Sequence, residues 1–256
     1  MRSAKIVDLR IPVANDMKKL IIPVCIYIFL TTNVSLTHAS SLFVVGSDGS
    51  VRKNVLGDSI DLSGAVEKVS RKVATAAIDG VKEIALEEIE NKTHVKIESV
   101  NDSEEQVLGD HLIDILTIEG DLPSEKIAVQ KETNGFSISQ GGVTAFTNLA
   151  IHIIPETQKV LVESTQGSVE VFVLPAKVLQ IVARANIINV FPESGAISLE
   201  EHDKDIQYVI KGEKAVTLFH VTRVVVPVET KVSAQTGLVI EINQPQWLNV
   251  LGFLAN

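Results

Sequence analysis

Val66-Glu67-Lys68-Val69-Ser70-Arg71-Lys72-Val73-Ala74-Thr75-Ala76-Ala77-Ile78-Asp79-Gly80-Val81-Lys82-Glu83-Ile84 is the stretch on which the fold class turns. Val66, Val69, Val73, Ala77, Val81 and Ile84 recur every three or four positions, which puts them on one stripe of a helix. Glu67, Lys68, Arg71, Lys72, Glu83, Glu87 and Glu88 fill the opposite side. Asp61 or Ser63 is placed to cap such a helix, and Asn91 to end it. Ala74, Ala76, Ala77 and Gly80 give it a small-residue face that another element can approach closely, although Gly80 weakens a helix interior. Read this way, the chain is α+β: an N-terminal amphipathic helix followed by a mainly antiparallel β region.

Downstream, the period shortens to two. His94-Val95-Lys96-Ile97-Glu98 alternates as a strand does, Asn101–Glu105 reads as an acidic turn, and Leu112–Ile118 as a buried strand. Asp121-Leu122-Pro123-Ser124 breaks the pattern and closes a mixed segment, 62–122. From 123 to the C-terminus the chain reads mainly as strands: Lys126–Lys131, Gly135–Ser139, Leu149–Ile154, Lys159–Ser164, Ser168–Leu174, Ala196–Glu200, Ile206–Lys211, Ala215–Val226, Val228–Ala234 and Leu238–Ile242. Thr133-Asn134-Gly135, Gly141-Gly142 and Thr165-Gln166-Gly167 are turn signals between them. Pro175 opens one inserted helix, and Gln246–Leu254 reads as a last amphipathic turn or helix.

Upstream, Met17-Lys18-Lys19 leads into the apolar run Leu20–Leu30, and polar and small residues follow up to Thr37-His38-Ala39. That order is the grammar of a secretory signal peptide, with cleavage between Ala39 and Ser40. The run is too short to span a bilayer as a helix, which needs about 20 residues. An uncleaved anchor and a buried helix are the alternatives. Residues 1–16 do not fit the grammar and read as a start codon assigned too early. Ser40–Asp61 reads as a flexible lead with one strand-like patch, Leu42–Val45.

The chain has 32 acidic and 23 basic residues, a net charge of −9. Five basic and two acidic residues precede Ser40, so the remainder is more acidic still. Nucleic-acid binders lead with a basic footprint, so nucleic acid is excluded as a partner. The one cysteine, Cys25, lies in the signal. The exported part therefore has no disulfide, thiolate metal site or cysteine nucleophile, a usage that fits a bacterial envelope or extracellular protein.

No catalytic, cofactor or metal motif emerges. His94, His111, His152, His202 and His220 lack the spacing of H-E-x-x-H, and His152 and His220, in strand patterns, read as strand-face histidines. Glu200-Glu201-His202-Asp203-Lys204-Asp205 lacks the glycine of a calcium loop and reads as a solvated hairpin. Ser50-Val51-Arg52-Lys53 has the S-x-x-K spacing of serine acyl enzymes without their other elements. Trp247 and Tyr208 read as packing aromatics.

Ile206-Gln207-Tyr208-Val209-Ile210-Lys211-Gly212, preceded by a helix and followed by Ser233-Ala234-Gln235-Thr236-Gly237-Leu238-Val239, resembles a PepSY-type domain over residues 175–242. The resemblance implies a helix packed on a small antiparallel sheet, with Thr236 and Gly237 in the turn that closes a hairpin. It departs from the pattern in lacking the aspartate of that turn and in its longer strands. The region from Thr144 onward is also similar to uncharacterised exported proteins of candidate-phylum bacteria. What the PepSY likeness implies is binding or inhibition, not catalysis: an extracytoplasmic module for a protein or peptide, meeting the membrane only through its signal or an anchor. A secreted hydrolase with an unrecognised acid–base pair, and a surface protein that self-associates through the Ala/Gly helix face, are the alternatives.

Overall fold

The computed structural model describes residues 41–54, 75–108, 114–191, 197–218 and 221–251. They are overwhelmingly strand, and the expectation of an α+β chain with an N-terminal amphipathic helix is overturned. Within the opening stretch, Thr75–Ile78 is a strand (β3) and Val81–Ile89 another (β4); residues 66–74 lie outside the described residues. The reason is arithmetic. From Val69 to Val81 the apolar residues recur every fourth position, and a spacing of four returns to the same face in a strand as well as in a helix. Gly80, with φ 67°, then turns the chain between β3 and β4. Within β4, Ile84 and Leu86 are fully buried while Glu83 and Glu87 face outward, a period of two. Asn91 ends no helix: Glu90 and Asn91, at φ 51° and 61°, form the two-residue turn that pairs Ile89 with Lys92.

The remaining strands follow in order. β1 (Phe43–Val45) and β2 (Val51–Asn54) arise from the stretch read as a flexible lead. β5 is Lys92–Ser99, β6 Ser103–Leu108 and β7 Asp114–Ile118, so the acidic turn expected at Asn101–Glu105 is largely strand. β8 (Ile127–Glu132), β9 (Gly135–Gln140), β10 (Val143–Thr147), β11 (Ile151–Ile154), β12 (Lys159–Ser164) and β13 (Gly167–Glu170) run through tight turns. Helix α1 (Pro175–Arg184) starts on its proline and buries Val178 and Val182. β14 (Ile197–His202), β15 (Asp205–Leu218), β16 (Thr222–Ser233) and β17 (Val239–Asn243) precede the short helix α2 (Gln246–Leu251). The single strand expected over Ala215–Val226 is the end of β15 and the start of β16, which pair through Leu218 and Thr222.

Two sheets result. The larger has eleven strands in the order β17-β16-β15-β14-β10-β9-β8-β7-β1-β2-β3; the smaller has six, β13-β12-β11-β4-β5-β6. Pairing is antiparallel except at β1–β7 and β10–β14, which are parallel. Phe43, Leu116, Val129, Phe136 and Ile138 from the larger sheet join Ile84, Leu86, Val95, Ile151, Ile153 and Val162 from the smaller in one buried core. Each such side chain contributes about 1.5–3 kcal/mol on burial, which is what fixes register: a one-residue slip would turn a whole row to solvent. Side-chain bonds tie the sheets together at the rim, among them Lys53 Nζ to Glu104 Oε1 at 2.9 Å and Gln158 Nε2 to the Gly46 carbonyl at 3.1 Å.

Candidate functional site

Of the residues singled out in the sequence, Ala39 and Ser40 lie outside the described residues. Thr236 and Gly237 sit in the turn between β16 and β17. Gly237 has φ 72° and donates its N–H to the Ser233 carbonyl at 2.9 Å. The Thr236 N–H donates to the Ser233 hydroxyl at 3.2 Å, and its Oγ1 accepts from the Leu238 N–H at 3.3 Å. A Cβ on Gly237 would stand 3.0 Å from Ile181 Cδ1 and 3.4 Å from Val173 Cγ2. Glycine thus serves both the turn's handedness and the close approach of α1.

That turn delivers β17 to the edge of the larger sheet. Leu238, Ile240 and Ile242 follow one another at every second position and are 67%, 51% and 44% exposed. An edge strand carries unpaired backbone donors and acceptors, and natural sheets blunt such edges with charge or brevity. Among the described residues every edge has some such feature, and β17 has Glu241 and a bulge opposite Lys231 and Val232. β6 carries Glu104 and Glu105, and β3 and β13 have four residues each. On the opposite face of β17, Lys231 Nζ bonds Glu241 Oε2 at 2.7 Å. That bond holds the Glu241 carboxyl below the usual carboxylate range and the Lys231 ammonium above its own. A shallow depression of about 520 Å³ between Pro227, Val228, Asn243 and Pro245 continues from the end of the strand.

A second constellation occupies the outward face of the smaller sheet. His152 on β11 pairs across β4 with Ala85, so Glu83 and Glu87 stand two residues to either side. Across β12 it pairs with Leu161, which places Glu163 diagonally beside it. His152 Nδ1 lies 2.5 Å from Glu83 Oε1, and His152 Nε2 lies 3.8 Å from Glu163 Oε2. Nε2 is shielded from solvent and has no hydrogen-bond partner. One ligand atom from each of Glu87, His152 and Glu163 lies within 4.8 Å of the other two. Sequence reading missed this group because its members are far apart in the chain and match no local motif. The available signal was Glu83-x-Ala85-x-Glu87 on an alternating strand, and the helical reading hid it.

Of the other sequence candidates, His202 reaches the β17 site, with its Nε2 3.5 Å from Lys231 Nζ. His202 closes β14, and Asp203 and Lys204, both at positive φ, make the turn to β15. Glu201 accepts bonds from the Thr165 hydroxyl and N–H, which hold its carboxyl low. Ser50 donates to Asp48 from its hydroxyl at 2.6 Å and N–H at 3.0 Å, and so lowers that carboxyl. His94 lies 2.7 Å from Glu105, while His111 and His220 fall outside the described residues. Tyr208 is fully buried with its hydroxyl unpartnered, and burial pushes its ionisation upward. Trp247 packs against the core from α2. The small-residue helix face proposed for self-association does not form: Ala76 and Ala77 belong to β3 and Gly80 to the turn after it.

Comparison of the chain with family models, with curated proteins and with solved structures found no match.

Proposed function

We propose that this chain is an exported, non-enzymatic binding module of the bacterial envelope or exterior, and that it takes an extended segment of a partner protein along the free edge of β17. The observation that carries the reading is the pair Ile240 and Ile242, exposed on the edge strand β17, with Leu238 exposed just before it. Strand addition uses such an edge: backbone bonds supply affinity, and alternate side chains supply specificity. Exposed apolar rows of this kind are uncommon unless something covers them. The charge of −9 favours a partner segment that is basic between its apolar residues, and it opposes pairing with a second copy of the chain. The PepSY-like hairpin of residues 175–242, and the signal ending at Ala39, point the same way.

The test uses a short peptide alternating valine or isoleucine with lysine, and a scrambled peptide of the same composition. Hydrogen exchange on the intact chain should show slowed exchange at Val239–Asn243 with the alternating peptide only. Ile240→Lys with Ile242→Lys should abolish the effect. Equal binding of both peptides, or protection away from β17, defeats the proposal. So does dimerisation through β17 seen by sedimentation. N-terminal sequencing of the fractionated protein tests the export half separately, with Ser40 the expected first residue.

A further inference from the structure

We propose that Glu87, His152 and Glu163 form a binding site for a divalent first-row transition cation of the zinc class, with Glu83 as the residue that orients the imidazole. The argument starts from the sheet. β4, β11 and β12 are neighbours, and their outward rows bring the three side chains together without help from any loop. Ala85 sits directly opposite His152 and contributes only a methyl group, so nothing bulky separates the carboxylates of β4 from the ring.

The ring is held as metal sites hold it. A ligating histidine commonly donates its second ring N–H to a carboxylate, which fixes the tautomer and raises the basicity of the ligating nitrogen. Glu83 is that carboxylate, at 2.5 Å from Nδ1. The tautomer it selects leaves the Nε2 lone pair free, and Nε2 is the atom that is shielded and without a partner. It faces Glu163 at 3.8 Å, too long for a hydrogen bond and open enough for an ion between them. Zinc takes imidazole nitrogen at about 2.0–2.1 Å and carboxylate oxygen at about 2.0–2.2 Å. Ligand atoms within 4.8 Å of one another can close onto one ion by small side-chain rotations. One imidazole and two carboxylates suit zinc and its neighbours better than calcium or magnesium, which prefer oxygen alone. Glu163 is more than half exposed, so a fourth position stays open to water.

Three carboxylates around one imidazole also carry an excess of negative charge that a divalent cation offsets. The convergence of Glu87 and Glu163 with His152 on a mutual focus separates this group from the other acidic residues of the surface. His94 and Glu105, on the same face, form a simple pair with no third group at ligand distance among the described residues.

The experiment titrates the intact protein with Zn²⁺ by calorimetry, and with Co²⁺ by visible absorption as an independent readout. One equivalent should bind, with d–d bands that report mixed nitrogen and oxygen ligation. Glu163→Gln and Glu87→Gln alter partly exposed side chains and leave the core untouched. Each should weaken binding by at least about tenfold, the lower end of what even an outer-shell change costs. His152→Asn should abolish binding, and Glu83→Gln should weaken it by about 10–100-fold while the bands keep their position. His94→Ala should change nothing. An absence of binding to the wild-type chain overturns the proposal. So does affinity that survives both glutamine variants, or a site that is lost with His94 and not with His152.

Discussion

Gly237→Ala isolates what the turn before β17 asks of its sequence. The substitution forces an L-residue to φ 72°, the left-handed region, at a cost of about 1–2 kcal/mol. It also places a methyl 3.0 Å from Ile181 Cδ1, closer than ordinary contact. That atom ends a flexible side chain, so the crowding adds less than a clash with backbone would, on the order of 1 kcal/mol by comparison with overpacked cores. For a chain of this size 1 kcal/mol moves the melting temperature by about 2–4 °C, so a fall of roughly 4–12 °C is expected. The two terms separate in a double-mutant cycle with Ile181→Val, which removes the crowding atom and alone costs about 0.5–1.5 kcal/mol. The pair should be sub-additive by about 0.5–1 kcal/mol, within the range seen for contacting residues. Thermal and urea melts of the four proteins supply the cycle. If Gly237→Ala leaves the melting temperature unchanged, the left-handed turn is wrong. If the pair is strictly additive, the packing of α1 against the turn is wrong.

Two further outcomes follow from buried and charged groups. Tyr208→Phe removes a hydroxyl that is buried without a partner, so stability should stay level or rise by up to about 1 kcal/mol; a fall of several degrees in a melt would mean that the hydroxyl is bonded. Acidification should destabilise the chain through Asp48, Glu201 and Glu241, whose carboxyls are all held low in the folded state. Their contribution is present above the unfolded carboxylate value of about 4 and is lost as pH falls through the lowered folded values. Thr165→Ala should flatten the melting-temperature curve between pH 5 and pH 3, by about the share that Glu201 supplies. An unchanged slope would show that the Thr165–Glu201 bonds carry no weight in solution.

Much of the β architecture was legible, and the part that was not has a physical explanation. Strands such as Lys159–Ser164 were readable because alternation and a glycine turn agreed at the same place, with Gly167 opposite Ser164. The stretch from Val66 failed because its spacing of four serves both periods, and no local feature decided between them. Asp79-Gly80 was the cue against a helix, since a turn dipeptide outweighs a shared spacing. Leu42–Val45 read as a strand-like patch, but its pairing with β7, far along the chain, was hidden, because local pattern says nothing about such pairing. The same holds for His152: its neighbours Glu83, Glu87 and Glu163 meet it only through the order of strands in the smaller sheet. The fold class was therefore misread at one element, while the candidate site was invisible until topology was known.

The parallel pairing of β1 with β7 has a consequence for how the protein is made. Phe43 lies beside Leu116, roughly 70 positions later, and non-local pairings of this kind slow folding because loop closure precedes any reward. A chain that emerges N-terminus first must hold Phe43 and Val45 unsatisfied until β7 arrives. During that interval an apolar strand is open to wrong partners. A holding chaperone, or delay of folding until the whole chain has emerged, would shield a segment that the finished sheet buries between β7 and β2.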